Sequence, residues 1–174
     1  DPSTLADELD TRMYGNSAAK SAIEMAAYGL CGQSRGLPIA QLLGGYQRRE
    51  AAVVWLLADN DQSRDVAAAT RMADKGFIAF KVKVGLATVE KDLDRCHKIR
   101  AALGPAARIS ADVNQGFTRE EAIAFSAGAA GAGLTFIEQP VYGHDLEGMA
   151  AAAAATKVPI GADEGIHSIQ DLER

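Results

Sequence analysis

The chain has 174 residues, 48% apolar and only 6% aromatic, with 18 basic and 23 acidic side chains and a net charge of −5. That balance argues against a nucleic-acid or anionic-membrane footprint, and no apolar run is long enough to span a bilayer. With no basic stretch and following apolar segment to mark a secretory leader, and with Cys31 and Cys96 reading as small core residues of helices, the expectation is a cytoplasmic globular protein.

In chain order, residues 17–32 predict a helix with Ala19, Ala22, Ile23, Ala26, Ala27 and Leu30 on one apolar face. A short helical piece begins at Pro38 and stops at Gly44 and Gly45. The texture then changes. AVVWLLA (52–58) predicts a first strand, and Asp59, Asn60 and Asp61 offer caps for a helix ending near Gly76. Residues 77–84 predict a second strand and 88–103 a helix stopped by Gly104-Pro105. RISADV (108–113) predicts a third strand, and Thr118 with Glu121 makes a capping box for the next helix. LTFIE (134–138) predicts a fourth strand, followed by an alanine-rich helix over 145–155. VPIGA (158–162) predicts the fifth, and Ser168 and Asp171 cap a last helix reaching Arg174.

Strands apolar on both faces, each followed by a helix, imply a parallel sheet covered by helices. Their regularity favours an α/β fold of the (β/α) TIM-type barrel class over a doubly wound sheet. A closed barrel needs eight strands and about 250 residues, whereas five strands are visible. The chain is therefore expected to be part of a longer protein, with residues 1–47 preceding the barrel units and residues 48–174 forming their N-terminal part.

The stretch FKVKVG puts Lys81 and Lys83 on one face of the second strand, because side chains alternate along a strand. Two ammonium groups cannot be desolvated together without anionic company. In a parallel barrel chemistry sits at the C-terminal ends of the strands, and there the third, fourth and fifth strands carry Asp112, Glu138 and Asp163 at near-equal spacing. Three carboxylates converging on one rim repel one another unless a cation joins them. Hard oxygen ligands of this kind suit Mg²⁺, with Mn²⁺ as a substitute. Taken singly, each acid reads as a helix cap or a solvated loop residue, and KVK reads as an edge strand with wet lysines. In phase with the repeat, they read as a site.

KVKVG, ADVNQGF, FIEQP and PIGADEG, together with the AIEMAAYGL helix and LPIAQLLGG, resemble the enolase superfamily, in particular its muconate lactonizing and mandelate racemase branches. The resemblance implies that residues 1–47 are the last helices of a capping domain and its linker. It implies that Lys83 is the base that takes the proton α to a carboxylate, with Lys81 assisting. It also implies that Asp112, Glu138 and Asp163 hold the metal that stabilises an enediolate. An Asp within ADE as third ligand is more similar to the muconate lactonizing branch. The implied reaction is muconate cycloisomerase-like; racemization or epimerization of amino-acid derivatives and dehydration use the same residues. The implied partner is a small-molecule carboxylate, with neither nucleic acid nor membrane, and members of the family are often symmetric homo-oligomers.

Asn114 is a candidate to orient a ligand or substrate, Gln139 to line the mouth of the site, and Glu164 to lie behind the metal face paired with a cation. His97 reads as an ordinary helix residue; His144 and His167 lie in loops on the rim. Two readings from other classes compete: a Schiff-base aldolase with Lys83 as nucleophile and no metal, and a non-catalytic partial barrel.

Overall fold

The computed structural model describes residues 2–173; Asp1 and Arg174, the ends of the predicted segments, lie outside the described residues. The chain divides into two compact units, Asp1–Ala51 and Ala52–Arg174.

The first unit opens with a 3₁₀ turn, Pro2–Thr4, and continues with α1 (Leu5–Arg12), α2 (Ser17–Arg35) and α3 (Ile39–Leu42). The unanticipated α1 places Asp7 and Glu8 in its first turn and Arg12 in its last, the order the helix dipole favours. Helix α2 runs on past Gly32 because Gln33, Ser34 and Arg35 tolerate helix, and Gly36, at φ 63°, supplies the left-handed terminator. Of the apolar face predicted for α2, Ile23 and Leu30 are exposed, whereas Gly32 is buried.

The second unit alternates strand and helix: β1 (Val54–Leu57), α4 (Gln62–Ala73), β2 (Ala79–Lys83), α5 (Val89–Leu103), β3 (Arg108–Asp112), α6 (Arg119–Ala129), β4 (Phe136–Glu138), α7 (Leu146–Ala154), β5 (Ile160–Gly161) and α8 (Ile169–Leu172). The five strands pair in parallel in the order β1-β2-β3-β4-β5. The predicted α/β architecture of five βα units is present, with strands shorter than their apolar runs. At β5 the reason is Pro159, which has no N–H to give; its carbonyl still accepts from the Ile137 N–H at 3.0 Å.

Helix starts follow the caps read from the sequence. Asp61, Thr88, Asp145 and Ser168 each accept a backbone N–H from the first turn, and Thr118 and Glu121 close a reciprocal capping box. Thr118→Ala is expected to cost about 1 kcal/mol, read as a lower urea midpoint at unchanged slope.

Alternation sorts the sheet into two faces. Phe80, Val82, Ile109, Ala111 and Ile137 point toward the helices, where Ala69, Met72, Cys96, Ile99, Ala122, Phe125 and Ala129 complete a fully enclosed core. The opposite face carries Leu56, Lys81 and Ser110, then Lys83, Asp112 and Glu138, and Leu56 remains 49% exposed there. One face holds the fold together and the other is left for chemistry.

Candidate active site

Strand register makes the site. Lys83 lies opposite Asp112, Asp112 opposite Glu138 and Glu138 opposite Gly161, so one row across β2, β3 and β4 presents a lysine and two carboxylates side by side. Lys81 stands two residues back on the same face of β2.

The acids answer the lysines directly. Lys83 Nζ donates to Asp112 Oδ2 at 2.6 Å and also to Asn114 Oδ1. Lys81 Nζ lies 2.6 Å from Glu138 Oε2 and 3.5 Å from Asp112 Oδ2. Burial of Lys81 disfavours its charge, but the hydrogen bond and charge of Glu138, joined by Asp112, hold its ammonium above the ordinary lysine value. Asp112 is only 2% exposed, so its negative charge depends on this company.

Asn114 ties the row to the next loop. Its backbone N–H donates to Asp112 Oδ1 at 3.1 Å, and its side-chain amide donates to Glu164 Oε1 at 2.9 Å. Glu164 thus takes an amide as neighbour, and its Oε2 is buried with no hydrogen-bond partner among the described residues. Asp163, predicted as the third member of the carboxylate set, sits two residues beyond the register row, because Glu138 pairs with Gly161. Its side chain lies on the exposed rim. Among the described residues, no three of His, Cys, Asp and Glu gather closely enough to hold an ion.

The donor set nonetheless suits a hard divalent cation. It consists of oxygens from adjacent strands, and the Lys81 ammonium bridging Glu138 and Asp112 stands where positive charge is drawn. Asp112 and Glu138 are the residues that fit such an ion, with Asp163 as the carboxylate nearest to complete the set along the chain.

The rim is built by close backbone approach. A Cβ on Gly116 would lie 3.1 Å from the Gly85 carbonyl oxygen, and Gly85 itself has φ 88°. A Cβ on Gly143 would lie 2.9 Å from the Glu164 carbonyl oxygen. These glycines let successive loops touch without side chains between them. Asn114, Gln115 and Gln139 also adopt positive φ, at 47°, 69° and 38°. Such conformations cost non-glycine residues on the order of 1–3 kcal/mol and persist only where their surroundings fix them.

Gln139 does not line the mouth of the site: it is wholly buried. The alternation that puts Glu138 on the open face puts Gln139 on the helix side, where an amide must find partners; that was the available sequence signal. His97 is exposed on α5; His144 stacks edge-on against Tyr142 at 5.4 Å, and the His167 backbone N–H donates to Asp171. None of the three joins the lysine–carboxylate row.

A second charged cluster lies behind β2. Arg95 donates to Asp65 at 3.2 Å, Asp92 at 3.0 Å, Asn60 at 2.9 Å and the Lys83 carbonyl, and both acids are 1% exposed. In the sequence Asp92 and Arg95 share the stripe of α5 that carries Cys96 and Ile99, where charges are not expected.

Residues 64–174 match the family model described as enolase C-terminal domain-like, and residues 2–44 match that of the mandelate racemase / muconate lactonizing enzyme N-terminal domain. The chain is 36% identical to muconate cycloisomerase 1 of Pseudomonas putida over 94% of its own length and 44% of that protein. It is 37% identical to the L-Ala-D/L-Glu epimerase of Bacillus subtilis over 91% of its length and 44% of that protein. The crystal structure of muconate cycloisomerase from Pseudomonas fluorescens superposes with a TM-score of 0.92 at 35% identity, over 98% of this chain and 48% of the other. The chain thus spans less than half the length of the curated relatives it matches.

Proposed function

The chain belongs to the mandelate racemase / muconate lactonizing enzyme family of the enolase superfamily, and from that premise we propose that it carries the base and metal-holding side of an enzyme acting on a small-molecule carboxylate. The reaction is removal, or the reverse addition, of the proton next to the substrate carboxylate. Cycloisomerization of a muconate is the leading outcome, and epimerization of an amino-acid derivative is the alternative within the same chemistry. The observation that carries the reading is the in-register row Lys83–Asp112–Glu138 on the face of the sheet opposite the enclosed core.

Lys83 is the proton acceptor. Its Nζ is held by Asp112 and Asn114, which fix the amine at the rim and limit its swing. Lys81, whose ammonium is secured by Glu138, stands two residues back on the same face of β2. Asp112 and Glu138, with Asp163, would hold Mg²⁺ or Mn²⁺; when bound, such an ion stabilises the negative charge developing on the substrate carboxylate as the proton leaves. Asn114 and Glu164 brace the amine from the neighbouring loop. Both cysteines are free thiols, in keeping with a cytoplasmic setting, and no helix among the described residues is long and apolar enough to cross a membrane.

The test is exchange of the substrate's α-proton with deuterium oxide, followed by NMR on muconolactone and on L-Ala-L-Glu. Exchange is expected to stop in EDTA and return with Mg²⁺, and Asp112→Asn is expected to abolish Mn²⁺ binding followed by electron paramagnetic resonance. Exchange that persists in EDTA, or borohydride trapping of a carbonyl substrate on Lys83, would overturn the proposal in favour of the aldolase reading.

A further inference from the structure

We infer that Gln139 is a positioning residue that sets the rim loop bearing Asp163, and through it the metal affinity of the site. The inference rests on the ligand set proposed above and adds a residue that touches neither metal nor substrate.

Gln139 is 0% exposed and makes hydrogen bonds in every direction available to it. Its side-chain oxygen accepts from the Asp163 N–H at 2.8 Å and from the Gly165 N–H at 3.1 Å. Its side-chain amide donates to the Val141 carbonyl at 2.9 Å and lies 3.7 Å from Met149 Sδ. Its backbone N–H donates to the Gly161 carbonyl at 2.9 Å, and its own carbonyl accepts from the Gln115 N–H at 2.8 Å. One residue therefore binds the loop after β3, its own strand end and the loop after β5.

Geometry explains why this task falls to a side chain. After Gly161 the β4–β5 backbone pairing ends, so nothing in the sheet ladder fixes residues 163–165. An amide oxygen accepting two N–H groups replaces the missing ladder. A glutamine also supplies the donor that the Val141 carbonyl requires in a site closed to water. The backbone at Gln139, φ 38°, is left-handed, a conformation that a non-glycine residue keeps only where its surroundings fix it. Gln115 extends the brace: its side-chain oxygen accepts from the Gly143 N–H at 2.8 Å. Groups that orient ligands from behind typically change metal affinity about 10–100-fold when removed.

The experiment compares Gln139→Met, which keeps length and removes the acceptor, with Met149→Leu, which removes only the sulfur contact. Amide hydrogen exchange, Mn²⁺ titration and urea denaturation are measured on each. Gln139→Met is expected to unprotect the Asp163 and Gly165 amides and weaken Mn²⁺ binding about 10–100-fold, while the Val82 and Ile109 amides stay protected. Met149→Leu is expected to leave all of these unchanged. If Gln139→Met fails to fold, Gln139→Glu decides in acid, where its neutral carboxyl can both accept from the two N–H groups and donate to the Val141 carbonyl. Both amides are expected to stay protected there, and their rapid exchange in a folded variant would overturn the inference. Unprotected amides with unchanged Mn²⁺ affinity would also overturn it, leaving Gln139 a structural residue. Asp163→Asn separates the two levels. If it leaves Mn²⁺ affinity untouched, the ligand assignment fails; if it weakens binding while Gln139→Met does not, the role of Gln139 fails.

Discussion

Arg95→Met is expected to lower the unfolding free energy by about 3–5 kcal/mol, measured by urea denaturation followed through Trp55. Arg95 is the cation between two carboxylates, Asp65 and Asp92, that are both 1% exposed. Methionine fills the volume but leaves two buried negative charges facing each other. Backbone donors remain, the Asp59 N–H at 3.3 Å for Asp65 and the Gly85 N–H at 2.8 Å with the Ala87 N–H for Asp92, but no cation does. The arginine also donates to the Lys83 carbonyl, so its loss frees the end of the strand that carries Lys83. Burial, outweighing the backbone bonds and the guanidinium charge, already holds both carboxyls above the usual value of 3.8. A carboxyl so raised binds its proton more tightly in the folded state, so its contribution to stability falls as pH climbs from 3.8 through the raised value. The deficit of Arg95→Met relative to the parent protein should therefore shrink as the solution is acidified. A deficit that stays constant as the solution is acidified would show that the arginine stabilises by packing alone. Asp65→Asn, which leaves Asp92 to pair with Arg95, should cost less.

Lys83→Ala is expected to reduce α-proton exchange by about 10²–10⁴-fold, with binding of the substrate carboxylate less affected. The sharper variant is Lys83→Arg. It keeps a cation for Asp112, so the row stays electrically balanced, but a guanidinium does not give up a proton in a protein. If Lys83 acts as a base, the arginine variant should be as slow as the alanine variant while unfolding close to the parent midpoint. If arginine restores exchange, the lysine contributes charge and another group moves the proton.

The fold was legible because its signals are local. A strand apolar on both faces and a helix opened by Thr118 and Glu121 depend on neighbours a few residues away. The site was legible where it follows the repeat: Lys83, Asp112 and Glu138 occupy one row because the βα units keep nearly constant length. Asp163 shares the spacing but not the row, since the register pairs Glu138 with Gly161, and register across strands is not encoded in spacing. That Lys81 and Lys83 rest on the carboxylates also required register. Arg95 and Gln139 escaped for a shared reason. Each is a polar residue on a buried face, and what satisfies it lies far along the chain: Asp65 30 residues from Arg95, Asp163 24 from Gln139.

The pairing of Lys81 and Lys83 with Glu138 and Asp112 has a practical corollary. A centre whose acids bring their own counter-ions does not depend on added metal for its architecture, unlike small zinc domains that unravel under chelation. Stripping with EDTA and reloading with a paramagnetic ion should then be reversible at constant circular dichroism. The lysine–carboxylate face of the sheet can be probed ion by ion in a single preparation.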